Sequence, residues 1–295
     1  MFDLQSFITG DLSPRARVLT ALLPAIIASV YFLGAVVVFS IRVLVWGFPD
    51  KYLGDARGRT ILVGSYLRVY FFWVINPLWR LVLASGVSAN QLTALAGLLG
   101  VGAAVAVGFG RFALGGWLFL FSGVLDTLDG RLARARNETS QSGAVLDSIL
   151  DRYIDALMLV GLGFYYRGGY AILPVTLALM GTLLVPYVRA KGEALGIPIT
   201  SGLMQRTERM LYLGGSVALS PIFEALVFPT DKRPEHWLGL VSIGLLAVTT
   251  NATAISRFFA LMRAVKEREG RVAPAPIAKG HPIGIEPTAL RKGVR

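Results

Sequence analysis

The sequence predicts an all-α integral membrane protein, and three features support this fold class. Hydrophobic residues make up 54% of the 295 residues and charged residues only 16%, whereas charged residues are roughly 25% of soluble domains. Seven apolar segments are long enough, or nearly so, to cross a bilayer as helices, which takes ~20 residues each. Glycine contributes 33 residues, and small residues allow membrane helices to pack closely.

The N-terminal region, residues 1–58, contains the first predicted transmembrane helix, at about Leu19–Trp46. Residues 59–84 combine Arg68 and Arg80 with a run of aromatic residues. We interpret this segment as an amphipathic helix in the membrane interface, because basic and aromatic residues together favour the headgroup layer. A second transmembrane helix is the alternative. In either case, Pro77 is expected to kink or break the helix.

Residues 85–263 are expected to form a six-helix membrane domain. Ser88 or Asn90 is suited to cap its first helix. The short connection between the second and third helices predicts antiparallel neighbours that fold against each other. The Pro-rich tail, residues 264–295, is expected to be disordered. The first of these six predicted spans ends at about Phe109. The other five cover residues 112–131, 144–166, 170–190, 209–228 and 237–262.

The distribution of basic residues predicts the orientation of the chain. Arginines and lysines concentrate in the 131–142 loop, in the 189–209 loop and after Arg263, whereas the alternate loops carry few. Because cytoplasmic loops of membrane proteins are enriched in these residues, the aspartate loop and the C-terminus are expected to face the cytoplasm, in the inner membrane. The net charge of +11 indicates anionic lipids or anionic substrates as partners, and not nucleic acid.

Residues 126–151, DTLDGRLARARNETSQSGAVLDSILD, place four aspartates at the ends of two apolar segments. Each carboxylate at bilayer depth costs roughly 2.5–3.5 kcal/mol, so something must offset them. Asp126 and Asp129 are three residues apart, and Asp147 and Asp151 are four apart. Both spacings place a pair on one helix face. The four carboxylates are therefore expected to converge at one depth.

Oxygen ligands alone select Mg²⁺ or Mn²⁺ over Zn²⁺. The chain has no cysteine, and its two histidines, His236 in a polar loop and His281 in the tail, lie outside the aspartate stretch. Two divalent ions would neutralise the four carboxylates, and paired ions are commonly used for transfer at phosphorus. Alternatively, the aspartates cap helix ends and pair with nearby arginines, namely Arg131, Arg134, Arg136 and Arg152.

The same stretch offers groups suited to a phosphate. Gly130 and Gly143 leave the backbone accessible, and Arg134 can pair with a phosphate group. Asp155 repeats the four-residue spacing after Asp151, and its expected role is structural, as a partner for a neighbouring helix.

The pattern D-x-x-D-G-x-x-A-R, eight residues, G-x-x-x-D-x-x-x-D resembles the motif of the CDP-alcohol phosphatidyltransferase family, and the similarity extends from about Asn76 to Arg263. Every fixed position is filled, by Asp126, Asp129, Gly130, Ala133, Arg134, Gly143, Asp147 and Asp151. The resemblance implies a six-helix core, usually a homodimer, with two divalent ions, Mg²⁺ or Mn²⁺. It implies transfer of a phosphatidyl group from a CDP-linked lipid, CDP-diacylglycerol, to an alcohol with release of CMP.

The resemblance also implies roles for individual residues. The first three aspartates are metal ligands, and Asp151 both contacts metal and acts as the general base. The groups expected to bind the CDP-lipid are Asn90, Gly130, Ala133, Arg134 and Gly143. For Asn90, which resembles a position that faces the nucleotide, a helix cap is the alternative.

Four arginines toward the predicted cytoplasmic side are candidates for binding the acceptor. A basic pocket suits an acceptor that carries its own phosphate, and the alternative is flanking charge. Two runs that contain three of these arginines, YVRAKGE and QRTER, resemble the corresponding runs of phosphatidylinositol phosphate synthases. Three residues depart from the pattern of those proteins, namely Arg189, Pro186 and Gln205. Inositol 1-phosphate is thus the expected acceptor, and glycerol 3-phosphate is the alternative. Two other classes of protein, a transporter and a catalytically silent scaffold, are the competing hypotheses for the function. The four residues are Arg189, Arg206, Arg209 and Arg257.

Overall fold

The computed structural model describes residues 14–47, 65–199, 206–228 and 234–271. The expectations for the tail after residue 271 and for Gln205 lie outside these residues. The described chain is helical and contains no strand. Its helices are α1 Pro14–Trp46, α2 Ser65–Val74, α3 Asn76–Ala84, α4 Ala89–Gly108, α5 Phe112–Ala135, α6 Gln141–Tyr165, α7 Ile172–Ala194, α8 Arg206–Val227 and α9 Trp237–Arg271.

The described residues contain six helices that are long and apolar enough to cross a membrane, namely α1, α4, α5, α7, α8 and α9. The protein is therefore a multi-pass, all-helical membrane protein with an N-terminal span, as predicted. Helix α6 is as long as its neighbours, but its first half carries Asp147, Asp151, Arg152 and Asp155. Because of these charges, α6 is less apolar than the six helices named above, although its second half is apolar.

Helices α4 to α9 form a closed ring, in which the neighbours follow the order α4, α5, α8, α9, α7, α6 and back to α4. The prediction that α5 and α6 fold directly against each other along their length is wrong, because both pack on α4 instead. Glycines allow this close packing. A Cβ at Gly161 of α6 would overlap the backbone of Ala104 in α4, and one at Gly116 of α5 would overlap Ala218 in α8.

Residues 59–64 of the predicted interfacial helix lie outside the described residues, and residues 65–84 form two short helices, α2 and α3. The break falls at Ile75, and Pro77 occupies the first turn of α3, where a missing N–H costs nothing. As described, the two helices have 10 and 9 residues, each fewer than the ~20 that a span requires.

Helix α1 packs against the bundle and against α2. It contacts α8 and α5 in the ring. The hydroxyl of Tyr31 donates to the carbonyl of Val74 at 2.7 Å, and the hydroxyls of Ser40 and Tyr66 lie 2.8 Å apart. The N-terminal helix is therefore fixed to the segment that precedes the helical ring.

The ends of two helices differ from the prediction. Helix α8 begins at Arg206, and α9 continues to Arg271, beyond its predicted end near residue 262. Of the two candidate caps for α4, Ser88 is the N-cap. It forms a capping box with Gln91.

The end of the bundle opposite the aspartates is closed by polar contacts to the segment before α9. The hydroxyl of Tyr165 donates to the carbonyl of Pro234 at 2.6 Å, and that of Tyr170 donates to Glu235 at 2.7 Å. The bond to Glu235 raises the pKa of Tyr170. The sequence suggested that His236 lies in a polar loop, but its ring is buried and stacks on Phe112 at 3.7 Å.

Candidate active site

Three of the four motif aspartates meet where α5 ends and α6 begins. Asp126, Asp129 and Asp147 each contribute a carboxylate oxygen, and these oxygens lie within 4.8 Å of one another. Helices α5 and α6 both pack on α4 rather than along each other, and their acidic ends meet beside it. Of the four carboxylates that the sequence predicted to converge, these three lie together, and they do so beside a third helix, α4.

Asp129 is the buried member of this triad. Its Oδ2 accepts a hydrogen bond of 2.6 Å from the hydroxyl of Thr93 on α4, and its Oδ1 accepts one from the backbone N–H of Gly130. The two bonds use one lone pair on each oxygen and fix the plane of the carboxylate. The remaining lone pairs are directed by that orientation, as in sites where a second hydrogen bond aligns a metal ligand.

Asp151 joins the triad through an arginine. Nη1 of Arg206 lies 2.7 Å from Oδ2 of Asp126 and 2.8 Å from Oδ1 of Asp151. The sequence placed Arg206 among the acceptor-binding residues, whereas the structure places its guanidinium among the carboxylates. This contact spans 80 residues of sequence, and nothing in the local pattern indicates it.

Asp155 lies one helical turn beyond Asp151 and contacts both arginines of α8. Its Oδ1 is 3.5 Å from Nε of Arg206, and its Oδ2 is 3.7 Å from Nη2 of Arg209. Asp155 thus pairs with another helix, as expected for a structural role, but that helix is α8, which is not a neighbour of α6 in the ring. Apolar side chains close the space around Asp155 and Arg209, including Phe119, Leu159, Leu213 and Leu246.

The residues assigned to the CDP-lipid border the triad. The carboxamide oxygen of Asn90 lies 3.5 Å from the position that a Cβ of Gly143 would take, so the starts of α4 and α6 adjoin. Because Ser88 caps α4, the exposed Asn90 is not required as a cap. Arg134 folds back over Gly130, where a Cβ would lie 3.4 Å from its Nη1. Ala133 is half-buried beside Arg134.

The remaining acceptor candidates differ in their surroundings. Arg257 is 8% exposed and donates to the carbonyl of Val185 at 3.0 Å. It lies close enough to Arg189 and Arg209 for their charges to interact. Arg189 itself is exposed and forms an ion pair of 2.9 Å with Glu193. The structure therefore brings Arg206 and Arg209 to the acids, with Arg257 nearby and Arg189 at the edge.

If the aspartates had only a structural role, Arg131 and Arg136 were expected to pair with them, but both arginines contact other groups. Arg131 lies over the ring of Trp79 in α3, with 4.6 Å between its Cζ and the ring centroid. Arg136 donates to the carbonyls of Val87 at 2.6 Å and Leu83 at 3.2 Å. These contacts tie α3 and the start of α4 to the end of α5.

Sequence reasoning missed Thr93 and Arg131 as supports of this site. Thr93 lies three residues after Asn90 in SANQLT, one helical turn along the same face. This spacing was the available signal for Thr93. For Arg131, the available signal was Trp79, two residues after Pro77. The segment that contains it was assigned only to the membrane interface.

The acidic triad fits a divalent cation. Its ligands are oxygens, as Mg²⁺ and Mn²⁺ prefer, and three carboxylates within 4.8 Å require a positive partner. The guanidinium of Arg206 beside Asp126 shows that a cationic group reaches these oxygens.

Comparison with known proteins agrees with this geometry. Residues 86–227 match the CDP-alcohol phosphatidyltransferase family. A phosphatidylinositol phosphate synthase of Streptomyces avermitilis is 36% identical over 247 residues, which cover 79% of this chain and 98% of that protein.

Solved structures extend the similarity to the fold. The phosphatidylinositol phosphate synthase PgsA1 of Mycobacterium tuberculosis, in complex with manganese and citrate, is 26% identical, with a TM-score of 0.55 over 63% of this chain and 88% of that one. The same protein with CDP-DAG bound gives a TM-score of 0.54 over 64% of this chain and 94% of that one.

The chain belongs to the CDP-alcohol phosphatidyltransferase family. It is therefore a membrane enzyme of phospholipid biosynthesis with CDP-alcohol phosphatidyltransferase activity. The aspartate triad lies within the matched residues and is consistent with binding of a divalent metal.

Proposed function

We propose that the protein transfers a phosphatidyl group from CDP-diacylglycerol to inositol 1-phosphate, forming phosphatidylinositol phosphate and CMP. One observation supports an acceptor that carries a phosphate: Arg206 lies directly beside the motif aspartates Asp126 and Asp151, and Asp155 joins it to Arg209. An arginine pair suits a phosphate by charge and by geometry. The names of the similar proteins support the same acceptor.

In this proposal the four motif aspartates have distinct roles. Asp126, Asp129, Asp147 and Asp151 hold two divalent ions, Mg²⁺ or Mn²⁺, which neutralise the pyrophosphate and stabilise the charge on departing CMP. Asp151 accepts the proton of the acceptor hydroxyl, whose oxygen then forms the new bond to phosphorus. Thr93 and the Gly130 N–H keep Asp129 in one orientation.

The donor lies on the side of α4 and α6. Asn90 and Gly143 adjoin there, so the nucleotide is placed beside the carboxamide, and Gly130 and Ala133 leave room for the pyrophosphate. Arg134 pairs with a donor phosphate. On the opposite side, Arg189, Arg206, Arg209 and Arg257 receive the phosphate of the acceptor.

An acceptor panel tests this function. Purified protein with CDP-diacylglycerol and Mg²⁺ is assayed for CMP release with inositol 1-phosphate, inositol, glycerol 3-phosphate and serine. We expect release with inositol 1-phosphate, loss of release in Asp151→Asn, and a raised KM for the acceptor in Arg209→Ala. The matched control is Glu138→Gln, because Glu138 is an exposed acid just after α5.

Each outcome of the panel decides one part of the proposal. Preferred use of glycerol 3-phosphate would retain the phosphate pocket but change the acceptor. Preferred use of an uncharged acceptor, with no effect of Arg209→Ala, would overturn the pocket. Full activity of Asp151→Asn would overturn the assignment of the base.

We also propose a homodimer in the inner membrane, with the acidic site and the C-terminus in the cytoplasm. The basic residues around the site support this orientation through the positive-inside rule. Tags at the C-terminus and before α1 test it by their accessibility in sealed inner-membrane vesicles of known orientation.

A further inference from the structure

Arg206 occupies oxygens that the proposed function assigns to metal. Its Nη1 lies at ion-pair distance from both Asp126 and Asp151, at 2.7 and 2.8 Å. Its side chain is 23% exposed, so these charges are only partly screened by solvent. A guanidinium this close to both carboxylates opposes the approach of a second cation by repulsion and by occupying their lone pairs.

Asp155 offers Arg206 a second anchor outside the motif. The Nε of Arg206 lies 3.5 Å from Asp155, on the side of the guanidinium that does not face Asp126. The side chain of Asp155 is 10% exposed, and no fixed position of the motif includes it. Asp155 is also shared with Arg209 at 3.7 Å. The carboxylate of Asp155 therefore joins the arginines of α8 to the metal-binding helix α6.

We propose that Arg206 competes with divalent cations for Asp126 and Asp151, and that Asp155 is the positioning residue that retains Arg206 beside the site once those carboxylates bind metal. The proposal rests on the proposed function in one respect: the Arg206 side chain that leaves the two aspartates is the one assigned to the acceptor phosphate. Arg206 thus links metal loading to acceptor binding, because the same guanidinium serves the carboxylates before loading and the phosphate afterwards.

Charge balance explains why such an exchange is favourable. Buried carboxylates without a positive partner are costly, and Arg206 supplies that partner before metal arrives. When Arg206 withdraws, its own charge needs a counterion. Asp155 supplies it at a distance that already lies within ion-pair range, so only a local movement of the side chain is required.

Binding of Mn²⁺ alone to the purified full-length protein in detergent tests the competition, with the free-ion EPR signal as the readout. Arg206→Gln is expected to bind Mn²⁺ more tightly by about tenfold, within the range of couplings between contacting charged residues. Arg206→Lys keeps the charge in a shorter side chain and should give an intermediate affinity. Arg167→Gln is the control, since it removes the same charge from an exposed arginine that stacks on Phe164, beyond the C-terminal end of α6. Its Mn²⁺ affinity should match that of the wild type.

A double-mutant cycle tests the role of Asp155. Asp155→Asn is expected to weaken Mn²⁺ binding, because Arg206 then remains on Asp126 and Asp151. In the Arg206→Gln background, the same substitution should have a much smaller effect. Equal weakening in both backgrounds would show that Asp155 acts through its own charge, and would overturn its positioning role. Unchanged or weaker Mn²⁺ binding in both Arg206 variants, each confirmed as folded by size-exclusion chromatography, would overturn the competition.

A kinetic readout separates positioning from general stability. Asp155→Asn should raise the KM for the acceptor more than it lowers kcat, and Asp155→Glu should restore part of the acceptor affinity. The Mn²⁺ titrations contain neither lipid nor acceptor. Failure of the cycle therefore counts against the exchange of Arg206, whereas failure of CMP release counts against the proposed function.

Discussion

The hydroxyl of Thr93 on α4 donates a hydrogen bond of 2.6 Å to Oδ2 of Asp129 on α5. It thereby orients the buried carboxylate of the acidic triad. Both residues are almost inaccessible, with exposures of 6% and 3%, so water cannot readily replace the bond. A neutral hydroxyl from a third helix thus completes a site whose carboxylates come from α5 and α6.

We expect Thr93→Val to weaken divalent-metal binding and CMP release by roughly 10- to 100-fold, the usual effect of removing a hydrogen bond that orients a metal ligand. Thr93→Ser retains the hydroxyl and should stay close to wild type. Mn²⁺ titration and CMP release measure the two effects. Wild-type values for Thr93→Val would show that Asp129 is oriented by Gly130 alone.

Much of this arrangement was predictable from sequence. Long apolar runs identify the membrane helices because a bilayer sets both their length and their composition. The motif spacing places Asp126 and Asp129 on one helix face, and the same rule applies to Asp147 and Asp151. These properties are local, so the linear order of residues contains them.

The contacts between distant helices were not predictable in the same way. Arg206 meets Asp126 across 80 residues, and Arg131 meets Trp79 across two helix boundaries. A short loop suggested that α5 and α6 pack together, yet close packing at Gly161 places α4 against α6 instead. Such choices depend on how well the helix surfaces fit, which no single segment specifies.

Metal removal provides a second prediction. Treatment with EDTA should abolish CMP release, and added Mg²⁺ or Mn²⁺ should restore it, because these ions suit an all-oxygen triad. Asp129→Asn should lose both activity and Mn²⁺ binding, whereas Glu138→Gln should keep both. Undiminished release in EDTA-treated protein, verified as metal-free by elemental analysis, would contradict the two-ion mechanism.

The contact of Arg131 with Trp79 predicts a measurable effect on stability. Trp79 is 7% exposed, whereas Leu81, two residues later, is 69% exposed. Trp79→Ala should lower the unfolding temperature in detergent, because it removes a buried ring, worth about 3–5 kcal/mol, together with its cation–π contact to the Arg131 guanidinium. Leu81→Ala is the matched control and should have little effect. Equal shifts in the two variants would argue against a tie between α3 and α5.

Helix packing at Gly161 predicts a similar contrast. A Cβ added there would overlap the backbone of Ala104, whereas nothing lies within 4 Å of a Cβ added at Gly244 of α9. Gly161→Ala should therefore destabilise the protein by about 1–3 kcal/mol, the usual cost of overpacking, and Gly244→Ala should not. Thermal unfolding of both variants measures the difference. Unchanged stability of Gly161→Ala would mean that α4 and α6 separate easily.

Two of the acceptor candidates, Arg257 and Arg189, should contribute unequally. Arg257 is buried, is held by the Val185 carbonyl and lies near Arg209. Arg189 is exposed and already paired with Glu193. Because exposed ion pairs contribute little, Arg257→Gln should raise the KM for the phosphorylated acceptor at least tenfold, the size of a lost charge-assisted bond, and Arg189→Gln much less. The KM for CDP-diacylglycerol is the internal control and should change in neither variant. A larger effect at Arg189 would move the acceptor phosphate away from the buried arginines and toward the rim of the site.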